Sequence, residues 1–256
     1  MKRFWQQVAV VPVASGHFGI LLDAKVLKTP AGLDYACPTR ALAEAVAAEW
    51  QEVKDKIDPK TMPMTQLTAT ALDLVTTQRD YIVDQIIAYA ATDLLCYRAT
   101  EPAALVARQM AAWQPYLDWA LLQFDALLKI TSGVRHIEQD AQAVQALRRA
   151  VAGCDDFQLA ALQNAVTVAG SLVLGLALIH RWRDAEAIFN AAEIDASFQI
   201  ERWGAEEEAV ARQEAVRAEL VSVARFVGCL DEKNPLLDNS ITQLLNVGIQ
   251  AGNKPI

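Results

Sequence analysis

The residues that most often carry enzyme chemistry are few in this chain and stand far apart. Its three histidines are His17, His136 and His180. None stands at the spacing of a catalytic or metal-binding motif, and a histidine that ends an apolar segment, as His180 does, also suits the C-terminal pole of a helix. Ser171 lies between Gly170 and Leu172, so it lacks the Gly-x-Ser-x-Gly pattern of a nucleophile elbow. We therefore predict no catalytic residue and interpret the histidines as surface or capping residues.

Phosphate-binding and metal-binding patterns are also missing from the sequence. The string Gly16-His17-Phe18-Gly19 has two glycines around a turn between strands, which any hairpin can contain. The four cysteines lack the Cys-x-x-Cys pair or the nearby histidine of a zinc site, and they are Cys37, Cys96, Cys154 and Cys229. We expect no cofactor, no metal, and four reduced thiols in a reducing compartment.

The most distinctive charged feature is the segment from Asp184 to Glu208, which has eight acidic residues and one basic residue, Arg202. Aromatic side chains interleaved with charge are typical of a protein-binding surface with an anchoring ring. The candidate partner-binding residues are Phe198, Glu201, Trp203, Glu206, Glu207 and Glu208. The alternative is a solvated helix start, because the three consecutive glutamates follow Gly204 and would favour the positive end of a helix.

Composition and charge limit the class of protein. With 256 residues, 53% of them hydrophobic and 21% charged, the chain is typical of a globular protein. A formal net charge of −8 disfavours a general nucleic-acid binder, which needs a basic surface, and we expect no nucleic-acid partner, although the net charge leaves a local basic patch open. Residues 165–179 carry no charge, but this stretch is shorter than the roughly 20 residues that a membrane span needs, so it predicts a buried helix and no stable membrane insertion. Because no leader-like segment precedes the first strand, we expect a cytoplasmic protein or a mature form that lacks its presequence.

The first 60 residues predict a small β-rich domain. Short β-rich runs separated by turn residues indicate an antiparallel meander, with strands expected at 8–13, 18–22, 26–29 and 33–37. Thr39 is expected to cap a helix that covers one face of this sheet. The apolar face of that helix comprises Leu42, Val46, Trp50 and Val53. The polar stretch Asp55–Pro63 contains two prolines and predicts the domain boundary.

After Pro63 the sequence predicts a series of helices joined by short loops. Expected helices span residues 65–76, 78–91, 102–113, 115–127, 138–152, 155–179, 184–192 and 205–227. The predicted fold class is thus α+β, a small β-rich N-terminal domain at 1–60 followed by a larger all-helical bundle at 61–228. Residues 229–256 have weak periodicity and are predicted to be a loosely attached tail.

Several strings, in this order, resemble one known family. They are Leu21-Leu22-Asp23, Lys28-Thr29-Pro30-Ala31-Gly32, Pro38-Thr39-Arg40-Ala41-Leu42-Ala43, Ala48-Glu49-Trp50, Asp58-Pro59-x-Thr61-Met62-Pro63, Thr92-Asp93-Leu94-Leu95-Cys96-Tyr97-Arg98, Gly170-Ser171-Leu172-Val173-Leu174 and Glu201-Arg202-Trp203-Gly204. Together they resemble the chaperone family that assembles the catalytic sector of the F-type ATP synthase by attending its alpha subunit. The resemblance covers about residues 3–227.

The resemblance implies a non-enzymatic assembly factor that binds the free alpha subunit until a beta subunit replaces it. It also implies a β-rich N-terminal domain joined to a helical one, in agreement with the patterns above. The resemblance further implies an acidic position in the C-terminal segment that matters to function. Glu201 is the best match for it, and Glu206, Glu207 and Glu208 are the neighbouring alternatives. We expect structural roles for Trp50, Asp93 and Arg98.

Two other classes of function stay open at the level of sequence. One is a helical enzyme with a dispersed site around His180, Asp93 and Tyr97. The other is a small-ligand carrier with a closed cavity beside residues 172–176.

Overall fold

The computed structural model of the chain describes residues 2–13, 16–133 and 135–231. From position 232 onward the predicted tail lies outside the described residues. The strands are β1 (Val8–Pro12), β2 (Phe18–Leu22), β3 (Lys25–Val26), β4 (Tyr97–Arg98) and β5 (Thr131–Ser132). The helices are α1 (Arg40–Glu52), α2 (Pro63–Thr70), α3 (Thr76–Ala88), α4 (Ala103–Phe124), α5 (Ala141–Ala152), α6 (Asp156–Ala169), α7 (Leu172–Ile179), α8 (Ala185–Ala192), α9 (Ile194–Trp203) and α10 (Glu207–Leu230). The predicted α+β class is confirmed.

The N-terminal sheet is antiparallel in the order β1-β2-β3, and Val8 pairs with Leu22. The predicted fourth strand at 33–37 is wrong, because that segment meets the sheet only in isolated bridges, such as the one between Phe18 and Cys37. The segment nevertheless folds back beside 27–29, where the Tyr35 N–H donates to the Leu27 carbonyl at 3.1 Å. At Gly32 the backbone has a φ of 88° and its N–H donates to the carbonyl of Thr29, which turns the chain back tightly.

Helix α1 covers the sheet as predicted. Thr39 caps the N-terminus of this helix, where its hydroxyl oxygen accepts a hydrogen bond from the Leu42 N–H at 3.1 Å. The apolar face of α1 is buried, as are Ile20 and Leu22 of the sheet that it packs against.

The predicted single helix over 155–179 is wrong, because the chain breaks into α6 and α7. Gly170 ends α6 with a left-handed φ of 65°, and the Ser171 hydroxyl accepts from the Leu174 N–H at 3.1 Å to begin α7. Every residue of α7 is buried, as expected for this uncharged stretch.

Two further predictions for the helical part are corrected. Trp113 and Trp119 lie in one continuous helix, α4, although Pro115 predicts a junction between two helices. Both indoles are buried on this helix, and the Trp113 Nε1–H donates to the Ala191 carbonyl at 2.8 Å, so side-chain packing holds α4 together across the proline. The helical part also contains one strand pair that the sequence did not predict, since β4 and β5 run parallel to each other.

Candidate functional site

Helix α9 contains the two aromatic candidate residues of the acidic segment, Phe198 and Trp203. The sequence did not predict this helix, because Phe198 is its only buried residue and such a narrow apolar face gives a weak helical pattern. The guanidinium of Arg108, on α4, lies 5.3 Å from the centre of the Phe198 ring. Phe198 is therefore a packing residue beside Arg108, and it has little exposed area with which to contact a partner.

Glu201 lies one turn after Phe198 and forms a two-pronged ion pair with Arg108. Arg108 Nη1 lies 2.9 Å from Oε1 of Glu201, and Nη2 lies 2.7 Å from Oε2. The hydrogen bond from Arg108 holds the pKa of the Glu201 carboxyl below its ordinary value. Both side chains remain about half exposed, so this pair belongs to the surface of the protein.

Trp203 ends α9 and presents an exposed indole ring, with the guanidinium of Arg202 6.0 Å from its centre. Its relative exposure is 73%, the highest of the tryptophans. Gly204 ends the helix with a φ of 96°, a backbone conformation that favours glycine. Tryptophan is among the residue types that most often anchor protein–protein interfaces when a partner buries them.

The three consecutive glutamates lie directly beyond this turn. Glu206 precedes α10, and Glu207 and Glu208 occupy its first turn, all of them exposed. Negative charge at a helix N-terminus is favourable in itself, so this position satisfies the helix-start interpretation. It also puts three carboxylates within a few residues of Trp203. The structure thus groups Glu201, Trp203 and the three glutamates around one turn, with Phe198 buried beneath.

The sequence reasoning missed the residues that hold α9 in place. Gln109, buried on α4, donates from Nε2 to Asp195 Oδ1 at 2.6 Å. On the opposite side, Arg212 of α10 pairs with the buried carboxylate of Glu193, which immediately precedes α9. One sequence signal was available, since the tetrapeptide Val-Ala-Arg-Gln occurs at both 106–109 and 210–213.

Asp93 lies fully buried at the start of α7. Its carboxylate accepts hydrogen bonds from the Ser171 hydroxyl at 2.7 Å, the Val173 N–H at 3.1 Å and the Leu95 N–H at 3.1 Å. Burial raises the pKa of Asp93 above its ordinary value, although these hydrogen bonds act in the opposite direction. This arrangement ties the chain at 93–95 to the N-terminus of α7.

Trp50 and Arg98 also lie in the interior. The Trp50 carbonyl accepts from Trp5 Nε1 at 3.2 Å, and the two indole rings are 5.1 Å apart. Arg98 donates from Nη2 to the Gln114 side chain at 3.0 Å, and burial lowers its pKa. Both lie in packed surroundings, and their structural roles stay predictions.

The dispersed enzyme site does not assemble from the residues considered for it. Asp93 lies at the start of α7 and His180 follows its end, and an eight-residue helix is about 12 Å long. The Tyr97 hydroxyl instead contacts His136 Nδ1 at 3.2 Å. His180 packs against the rings of Trp119 and Phe124.

Packing around α7 also disfavours an internal cavity there. A Cβ added at Gly175 would lie 2.5 Å from Val166 Cγ2 and 3.1 Å from Leu162 Cδ1. A surface groove of about 380 Å³ lies elsewhere, along β1 and α1, where Val10 and Ala47 form part of its lining.

Membrane-spanning helices and metal-ligand clusters are both absent from the described residues. None of their helices combines the length and the apolar character that crossing a bilayer requires. Nor do three or more Cys, His, Asp or Glu side chains in these ranges group as metal ligands.

Comparison with known proteins gives matches along most of the chain. Residues 2–121 match the family model described as ATP12 chaperone protein. The crystal structure of Atp12 from Paracoccus denitrificans is similar with a TM-score of 0.84 and 41% identity, over 90% of this chain and 98% of that one. A mutant of that same protein matches with the same TM-score and identity, over 97% of its chain. Protein atp12, mitochondrial, from Schizosaccharomyces pombe is 22% identical over 244 residues, which cover 90% of this chain and 84% of the relative.

Proposed function

This chain belongs to the ATP12 chaperone family, whose function is ATP synthase assembly, and on that premise we propose that it binds the unassembled alpha subunit of the catalytic sector. The bound chaperone masks the surface of the alpha subunit that later meets a beta subunit. It makes and breaks no covalent bond. The proposed compartment is the bacterial cytoplasm or the mitochondrial matrix, and relatives from both bacteria and mitochondria support this pair of choices.

The observation that carries the proposal is the exposed indole of Trp203 among carboxylates at the turn between α9 and α10. A single exposed aromatic ring surrounded by charge supplies an apolar anchor and a solvated rim. Such a surface suits a transient partner, because rim charges speed association and the small apolar area keeps the complex reversible.

Masking has a direct physical purpose. A free subunit exposes apolar surface that its neighbour covers in the assembled complex, and large exposed apolar patches drive self-association. A chaperone that binds this subunit reversibly keeps it soluble and then yields its place to the neighbour. This mechanism needs no nucleotide, metal or cofactor on the chaperone.

The test is capture of purified alpha subunit by this protein at micromolar concentration. We expect capture by the wild type and its loss in Glu201→Lys, because the new lysine faces Arg108 and reverses the charge beside Trp203. Circular dichroism must show that the variant is folded. Failure of the folded wild type to capture the alpha subunit would overturn the proposal.

A further inference from the structure

Helix α9 is attached to the rest of the protein mainly through polar side chains. Phe198 is its only fully buried residue, and the half-buried Ile194 at its first position also packs against the hydrophobic core. Two Val-Ala-Arg-Gln tetrapeptides, one on α4 and one on α10, supply hydrogen bonds and ion pairs to this helix and to Glu193 before it. The orientation of α9 therefore depends on a few identifiable hydrogen bonds.

The α10 side holds the beginning of the helix. Arg212 pairs with Glu193 immediately before α9, and Gln213 Nε2 donates to the Ser197 hydroxyl at 3.1 Å. The α4 side holds the first and last turns. Gln109 bonds Asp195 near the start, whereas Arg108 bonds Glu201 near the end.

In the last turn, Glu201 forms an ion pair with α4. Both of its oxygens face the guanidinium of Arg108, and the same guanidinium lies over the Phe198 ring. Trp203 follows two residues later and ends the helix. The Arg108–Glu201 pair therefore restrains the turn of α9 from which the Trp203 indole projects.

We propose that Arg108 is a positioning residue, which acts through Glu201 to hold the last turn of α9 and so orients Trp203 for the client protein. This inference rests on the proposed function and adds to it a role for Arg108. It also assigns Glu201 a role different from direct client contact, because its carboxylate is engaged by Arg108. The functional unit is then the ion pair, with Trp203 as the contact residue.

A double-mutant cycle tests this coupling. The variants Arg108→Gln, Glu201→Gln and the combination of both are compared for affinity to purified alpha subunit. We expect each single change to weaken binding about ten-fold, and the double variant to be no weaker than the weaker single. The exchanged pair, Arg108→Glu with Glu201→Arg, is expected to restore affinity to within about three-fold of the wild type. Losses that add in the double variant, or an exchanged pair that stays weak, would overturn the inference and assign Glu201 to the client interface.

The chain offers a matched control pair. Arg217 on α10 contacts both oxygens of Glu186 at 2.7 and 2.8 Å, and its guanidinium lies 4.1 Å from the centre of the Phe189 ring. This pair has the same chemistry and similar exposure but lies on α8 and α10. Arg217→Gln is expected to leave client affinity unchanged, and an equal loss there would overturn a specific role for Arg108.

A second readout needs no client. Backbone hydrogen exchange in the last turn of α9 is expected to be several-fold faster in Arg108→Gln than in the wild type, and unchanged in Arg217→Gln. Unchanged exchange in Arg108→Gln would overturn the positioning role. If exchange rises as expected while the wild type captures no alpha subunit, the proposed function fails and the attachment of α9 by Arg108 stands.

Discussion

Glu49 on α1 and Thr65 on α2 join the β-rich part of the chain to the helical part. The Glu49 carboxylate accepts hydrogen bonds from the Thr65 N–H at 2.8 Å and from its hydroxyl at 2.7 Å, and it also accepts from the Met64 N–H at 2.8 Å. These amides belong to the first turn of α2 and have no partner within that helix. A buried carboxylate thus caps a helix that follows the predicted domain boundary.

Removing this cap is expected to destabilise the protein. Glu49→Ala leaves buried amides without partners, so we expect the free energy of unfolding to fall by about 2–4 kcal/mol. Glu44→Ala on the same helix removes an exposed carboxylate whose ion pair with Arg40 is 3.5 Å long, and it should cost less than about 1 kcal/mol. Urea unfolding followed by circular dichroism measures both, and equal losses would contradict a capping role.

The buried carboxyl of Asp93 is expected to make stability depend on pH. Its folded pKa lies above the ordinary value of 3.8, so the folded state binds the proton more tightly than the unfolded chain. Its contribution to the free energy of unfolding therefore falls as the pH rises from 3.8 through the folded pKa. Relative to Asp93→Asn, which does not titrate, the wild type should lose stability over this window in urea unfolding.

Glu201 serves as a control, because its effect on stability is expected to change with pH in the opposite direction to that of Asp93. Its folded pKa is lowered by Arg108, so its stabilising contribution is present above the ordinary value of 4.5 and is lost as the pH falls through the folded pKa. Relative to Glu201→Gln, the wild type should gain stability as the pH rises toward 4.5. If the stability of the wild type relative to each variant changed with pH in the same direction, the assignment of the Asp93 carboxyl as buried and the Glu201 carboxyl as ion-paired would be wrong.

Sequence patterns predicted those parts of the fold that depend on interactions between residues close together in the chain. The cap at Thr39 and the apolar face of α1 are both visible in neighbouring residues, and both are present. The division of 155–179 into two helices has local signals in Gly170 and Ser171, whereas the bond from the Val173 N–H to Asp93, which also holds the start of α7, spans 80 positions. The site follows the same rule, since Trp203 was identified from composition, but its support from Arg108 joins residues 93 positions apart. The domain boundary near residue 60 stays a prediction.

The contact between α6 and α7 should tolerate no added carbon at Gly175. The new Cβ of Gly175→Ala would meet Val166 Cγ2 at 2.5 Å, so we expect a loss of about 1–3 kcal/mol from overpacking. Gly228→Ala, within α10, places its Cβ in open space and should instead raise stability by up to about 1 kcal/mol, because alanine favours helix. Thermal unfolding of the two variants should therefore shift in opposite directions, and a shift of the same sign in both would contradict the close approach of these helices.

The anchor role of Trp203 makes the sharpest prediction about binding. Because the ring is 73% exposed, Trp203→Ala removes almost no packing and should leave the melting temperature nearly unchanged. If the ring is the anchor, affinity for purified alpha subunit should fall by about 2 kcal/mol, which is roughly 30-fold in Kd. Tyr81→Ala removes another aromatic ring, 60% exposed on α3, and is expected to leave affinity unchanged. Isothermal titration calorimetry with the three proteins measures this difference. Equal affinities for the wild type and Trp203→Ala would place the client interface elsewhere on the molecule, and equal losses in both variants would indicate nonspecific adhesion of aromatic surface.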